Sequence, residues 1–397
     1  MSPTLLENCS VVDVHAGQSL PDGVVLIDGD RIAAVGPRAE VELPGTAERV
    51  DLGGAHVLPG LINCHVHFGL VLPGTEGDRL RNESDAALAL RMAANAAQTL
   101  GAGVTTVRLV GERPYADIAL RDSIAAGETA GPRILTAGPL LISTGGHGWE
   151  LGSCVEADGP DGFRAAARTQ IKHGTDLVKI SVSGGIAGEN EAIADSQMTP
   201  AEIAAVTETA HARGKHVAAH AGPPGVIRTA VECGVNTIEH GYFLTGEVAA
   251  VMHEHGSWLV PTINVSRAVA FYEKIGAPHW MVEKALAAGE LHWAGLREAI
   301  NRGVRIAMGT DMIPHEPFDG TSVTVRELEF YVEAGMTPPA ALRSATIDAA
   351  ELLGRPELGR LEPGVAADLI AVRGDPIQDI ASLRQLELVV SRGRVVA

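Results

Sequence analysis

The sequence predicts an α/β protein, a (β/α)8 TIM barrel over residues 58–358 joined to a small β-sandwich domain built from both termini, residues 1–57 and 359–397. Three observations predict it. A unit made of a helix-forming stretch, a glycine and a short apolar run recurs through the middle of the chain. Eight such runs can be counted, and β-rich runs separated by turns occupy both ends. The 397 residues accommodate one barrel of ~250 residues and a smaller unit.

Residues 1–57 alternate strand-like runs with turns, and Asp28-Gly29-Asp30 between two apolar runs has hairpin chemistry. This segment is too small to bury a core alone. Its complement is the far end, where Ala367-Asp368-Leu369-Ile370-Ala371-Val372 and Leu388-Val389-Val390 again read as strands. Between the ends, glycine closes helices and the apolar run after each reads as a strand buried on both faces. Such strands open at Leu61, Thr105, Arg133, Leu177, His216, Thr237, Trp258 and Arg305. Thr199-Pro200-Ala201-Glu202 marks a helix start with a capping threonine, a proline and a glutamate, and Thr337-Pro338 repeats the first two. No glycine-rich dinucleotide fingerprint follows the first strand, which counts against an open doubly wound sheet.

A formal charge of −18 argues against nucleic-acid or anionic-membrane partners, because phosphate demands a basic face. The cysteines Cys9, Cys64, Cys154 and Cys233 form no CxxC pair, which points to a reducing compartment. The start of the chain lacks a secretory signal pattern and no stretch reaches ~18 uninterrupted apolar residues, so a cytoplasmic protein is expected.

In a barrel of this kind the active site lies at the C-terminal ends of the strands. Polar residues that are odd in buried strands fall at those ends: His65 and His67 after strand 1, Lys179 in strand 4, His220 in strand 5, His240 in strand 6, and Asp311 after strand 8. Each alone has an ordinary explanation, as a hydrogen-bonded core histidine, a snorkelling lysine or a helix cap. Six at one rim point to metal. Four imidazoles, an aspartate and a lysine suit two metal sites sharing a bridge, with the lysine desolvated and carboxylated by carbon dioxide so that each carbamate oxygen binds one metal. A hydroxide would complete the bridge.

Pro59-Gly60-Leu61-Ile62-Asn63-Cys64-His65-Val66-His67, Val178-Lys179-Ile180-Ser181-Val182-Ser183-Gly184-Gly185, Ala218-Ala219-His220-Ala221, Thr237-Ile238-Glu239-His240-Gly241 and Gly309-Thr310-Asp311 together resemble the amidohydrolase superfamily. Within it the chain is most similar to the branch of imidazolonepropionase-like hydrolases, metal-dependent Xaa-Pro dipeptidases, carboxypeptidases and ochratoxinase-like amidases. The resemblance implies a binuclear hydrolase of carbon–nitrogen bonds in an N-acyl amino acid, a dipeptide or a related small molecule. It places His65, His67 and Asp311 on the more buried metal, His220 and His240 on the more exposed one, and Lys179 as the carbamate bridge. Asp311 would move a proton from the nucleophile to the leaving nitrogen, and zinc is the default metal pair. A homo-oligomer is expected.

Ser143-Thr144-Gly145-Gly146-His147-Gly148 matches a Gly-Gly-His-Gly motif of this branch, which implies a second catalytic residue, His147, above the metals. Tyr242 is a further candidate for the pocket. Three departures stand out. Gly222 occupies a position where relatives often carry histidine or tyrosine, Leu109 replaces a carboxylate, and Thr346-Ile347-Asp348-Ala349-Ala350 varies a late motif. Arg79, Arg81, Arg108 and Arg267 lie on or near the expected C-terminal loops and could pair with a substrate carboxylate, the alternative for each being a solvated surface residue, and the sequence does not choose among them. Alternative readings are a cyclic amidase or ring deaminase, and a barrel kept for assembly without catalysis; retention of every ligand position speaks against the last.

Overall fold

The computed structural model describes residues 3–113 and 115–396. The barrel strands run Leu61–Val66, Val104–Leu109, Arg133–Thr136 continued by Leu140–Ile142, Val178–Ser181, Val217–Ala221, Thr237–His240, Trp258–Val260 and Arg305–Ile306. Each pairs in parallel with the next within two ladders. Backbone hydrogen bonds join the ladders into a ring: Asp176 donates to the Thr136 carbonyl at 2.7 Å on one side, and on the other Cys64 donates to the Met308 carbonyl at 2.7 Å and Asp311 to the His65 carbonyl at 2.8 Å. A TIM barrel is therefore the central architecture, with strand starts within one residue of those read from the sequence.

Burial explains the apolar runs. Strands Leu61–Val66, Val104–Leu109, Val178–Ser181, Val217–Ala221 and Thr237–His240 are buried at every residue, because one face packs inside the ring and the other against helices. The predicted helix start at Thr199 forms a capping box: Thr199 accepts from the Glu202 amide while Glu202 accepts from the Thr199 amide. Thr337 caps the helix Pro338–Ser344 in the same way, without the glutamate.

Both termini feed one hydrogen-bonded sheet of eight strands. Its order is Arg394–Val395, Leu386–Ser391, Leu369–Val372, His56–Pro59, Thr4–Asp13, Gln18–Asp28 and Arg31–Pro37, with Glu48–Asp51 beside the start of Thr4–Asp13. Leu6, Val25, Ile27, Val57, Leu369 and Val390 belong to its own apolar cluster. The expected hairpin is present, with Gly29 in the left-handed region at φ 62°. The strand His56–Pro59 spans the expected boundary at residues 57 and 58, so the apolar run from Leu58 to His67 serves two sheets in succession. Among the described residues no helix is long and apolar enough to cross a membrane.

Candidate active site

The ends of the strands and the turns after them bring His65, His67, His220, His240 and Asp311 to one mouth of the barrel; Lys179 lines the same cavity from the second residue of Val178–Ser181, earlier in its strand than the sequence predicts. Ligand atoms of His65, His240 and Asp311 lie within 4.8 Å of one another, an arrangement able to hold a metal ion. Asp311 Oδ1 is 3.2 Å from both His65 Nε2 and His67 Nε2. His220 joins the group through its ring, 4.6 Å from that of His240. His240 and Asp311 adopt left-handed backbone, at φ 67° and 54°, a costly conformation for non-glycine residues that turns each side chain across the mouth.

Each imidazole has one nitrogen fixed to an oxygen. His65 Nδ1 meets Glu239 at 2.7 Å, His67 Nδ1 the Gly111 carbonyl at 2.8 Å, His240 Nδ1 the Thr262 hydroxyl at 2.7 Å, and His220 Nε2 the Gly184 carbonyl at 3.0 Å. For His65 and His67 the opposite nitrogen, Nε2, faces Asp311. Oxygen anchors of this kind select the tautomer and raise the basicity of ligating histidines.

Lys179 lies in their midst. It is 2% exposed, and its Nζ has no hydrogen-bond partner. Burial draws the ammonium down to about 8, with Arg108 opposing the charge and Glu239 and Asp311 favouring it. Burial, then the neighbouring His147 and Lys179, holds His220 well below the usual histidine range; burial and His220 do the same to His240. Asp311 behaves oppositely: burial alone would raise it, but His65 and His67 hold it well below the carboxylate range. Imidazoles held neutral at His220 and His240, an ionised carboxylate and an unpartnered amine form a donor set suited to divalent metal.

Beneath this mouth sits a carboxylate that periodicity did not single out. Glu239 binds His65 on one oxygen and Arg108 at 2.7 Å on the other, and Thr237 also donates to it at 2.7 Å. Burial would raise Glu239, but Arg108, then Lys179 and His65, keep it below the carboxylate range. Arg108 is thus committed to Glu239 inside the barrel. Breaking a buried ion pair from one side costs ~3–5 kcal/mol. Arg108→Met is expected to lose that much stability in urea unfolding, and a loss under ~1 kcal/mol would show that Glu239 does not depend on Arg108.

Of the other arginines, Arg79 and Arg81 pair within their own exposed helix turn with Glu76 and Asp78, and Arg267 stacks over Trp293 at 4.6 Å. None of the four lines the cavity. The carboxylate missing at Leu109 has a counterpart in Glu112, which accepts from the Phe68 amide at 2.5 Å and the Gly69 amide at 2.8 Å; burial pushes it up to about 7, against the opposing pull of His67. Gly222 has a steric cause. A Cβ there would sit 2.6 Å from Ile193 Cγ2 and 3.0 Å from the Ile193 carbonyl, so no donor side chain fits.

A cavity of about 680 Å³ opens over these residues. Its walls include His147, Tyr242, Leu70, Leu140, Phe271 and Met312. His147 stacks on His220 with ring centroids 4.2 Å apart, and Tyr242 stacks on His240 at 5.0 Å. The volume suits a drug-sized organic molecule held by apolar surface against a polar floor.

A sequence model described as the amidohydrolase family matches residues 56–396. Ochratoxinase of Aspergillus niger is 30% identical over 92% of this chain and 80% of its own length. Imidazolonepropionase of Solibacter usitatus is 26% identical over 96% of this chain and 94% of its own. Among solved structures, a prolidase complexed with N-methylphosphonate-L-proline superposes with a TM-score of 0.90 at 32% identity, over 99% of both chains. A Xaa-Pro dipeptidase with methionine in its active site gives 0.88 at 33%, again over 99% of both chains.

Proposed function

The chain belongs to the amidohydrolase family and is a hydrolase of carbon–nitrogen bonds; from that premise we propose a binuclear metal enzyme cleaving the amide of an N-acyl amino acid, a dipeptide or a related small molecule. The observation that carries the binuclear reading is the lysine. A buried amine without a hydrogen-bond partner, lining one cavity with four imidazoles, is costly as an ammonium and useful as a carbamate.

In this reading His65, His67 and Asp311 would hold one metal and His220 and His240 a second, with carboxylated Lys179 as the ligand shared between them. Zinc suits the mixed nitrogen and oxygen donors. When bound, the pair supplies Lewis acidity, polarising the amide carbonyl and lowering the pKa of water to ~7. The protein's own groups do the rest. Asp311 takes a proton from the attacking water and returns it to the departing nitrogen, for which its carboxylate, 3.2 Å from two histidines, is suitably placed. His147 binds the substrate from above, and the apolar walls hold its side groups and exclude water.

Ochratoxinase, a prolidase and a Xaa-Pro dipeptidase among the similar proteins support this substrate class. We also read residues 1–57 and 359–397 as a separate β-sandwich domain and residues 58–358 as the catalytic one, a division supported by the apolar cluster of the terminal sheet.

Elemental analysis of the purified protein is expected to find about two metals per chain. Prolonged chelation is expected to abolish hydrolysis of an N-acyl amino acid and dipeptide library, and zinc with bicarbonate to restore it. Full activity in metal-free protein would sink the proposal.

A further inference from the structure

The loop between the fourth barrel strand and the helix Pro200–His211 carries a carboxylate with no part in the steps above. Glu191 Oε1 lies 2.5 Å from His147 Nδ1, and its Oε2 accepts from Gln197 Nε2 at 2.7 Å. Gln197 completes the circuit, because its Oε1 accepts the His147 backbone N–H at 2.9 Å. The loop is itself tied down: Lys284, on the helix His279–Asn301, donates to the carbonyls of Gly188 at 2.5 Å and Glu191 at 2.7 Å.

Packing leaves the imidazole little choice of orientation. One face stacks on His220 at an interplanar angle of 26°, and the ring also abuts Gly185, where a Cβ would stand 2.3 Å from its Cε1 and 2.6 Å from its Nε2. The His147 and Glu191 side chains are only 12% and 10% exposed. With Nδ1 engaged, Nε2 is the nitrogen left for the cavity, and among the described residues no side chain or carbonyl bonds to it.

We propose that Glu191 is a positioning residue that keeps a proton on His147 Nδ1 and fixes the ring so that Nε2 meets the substrate, with Gln197 holding the carboxylate in register. The inference rests on reading the cavity as the amide-hydrolysing site. A carboxylate only accepts hydrogen bonds, so it can serve the Nδ1–H of His147 and the amide of Gln197 together. An amide of the same shape cannot. In E191Q the new NH2 must face one of those two donors, and one bond is lost. The double variant E191Q/Q197E repairs the pattern, since the carboxylate now at 197 accepts both from the His147 backbone and from the amide at 191.

The test compares wild type, E191Q and E191Q/Q197E in steady-state hydrolysis of the best amide from the library. It runs alongside metal analysis and imidazole nitrogen NMR of histidine-labelled protein. Orienting residues behind an active-site histidine are typically worth ~10–100-fold. E191Q is expected to lower kcat/KM by that factor with metal content unchanged, the double variant to recover most of it, and NMR of the wild type to find the His147 proton on Nδ1. Wild-type kcat/KM in E191Q, metal loss in E191Q, or a wild-type proton on Nε2 would each overturn the proposal, and the last holds even if the variants fail to fold. If the wild type hydrolyses no amide, the functional reading fails instead, and NMR alone decides the role of Glu191.

Discussion

Lys179→Ala is expected to lower kcat/KM by ~10³-fold or more and to reduce the metal content. On the proposed reading a carbamate bridge would contribute several kcal/mol of transition-state stabilisation, and each 1.36 kcal/mol is tenfold in rate. The same substitution offers a chemical rescue. It leaves a buried hole the length of a lysine side chain in the cavity that the four histidines line, where formate, acetate or propionate would stand in for the proposed carbamate. Partial recovery of metal and turnover with added acid is therefore expected, and unchanged activity without added acid would eliminate the bridge.

Asp311→Asn is expected to be nearly as severe, for a different reason. The amide keeps the shape between His65 and His67 but can neither take a proton from water nor pass one to the leaving nitrogen. Loss of a general acid–base group costs ~10²–10⁴-fold, so kcat is expected to fall by ~10³-fold. The variant is also expected to keep the barrel intact, because the Asp311 backbone amide still donates to the His65 carbonyl, at 2.8 Å. An unchanged kcat with normal metal loading would move the proton transfer to another residue.

What was legible in the sequence followed from periodicity. A histidine or lysine is conspicuous in a strand buried on both faces, so the six candidate residues stood out against the apolar runs in or beside which they lie. The residues behind them did not. Glu239 adjoins a histidine already counted, and its value lies in contacts with His65 and Arg108, which are remote in sequence. Glu191 and Gln197 lie in an irregular loop with no period to break. Arg108 misled for the opposite reason: a charge in an apolar strand looks available for ligands until its buried partner is seen. The terminal sheet was legible as two β-rich ends, but not its register, which depends on pairs such as Leu369 with Pro59.

That pairing sets a timetable for synthesis. The strand His56–Pro59 leaves the ribosome ~300 residues ahead of Leu369–Val372, its antiparallel neighbour. At ~5–20 residues per second the edge stays open for roughly 15–60 s. The whole barrel must be translated in that interval, so the catalytic rim is assembled beside an unfinished sheet with an exposed row of backbone donors and acceptors. Completion of the fold is thus coupled to completion of the polypeptide, and a chain cut short after the barrel would carry every rim residue yet present an adhesive edge to its neighbours.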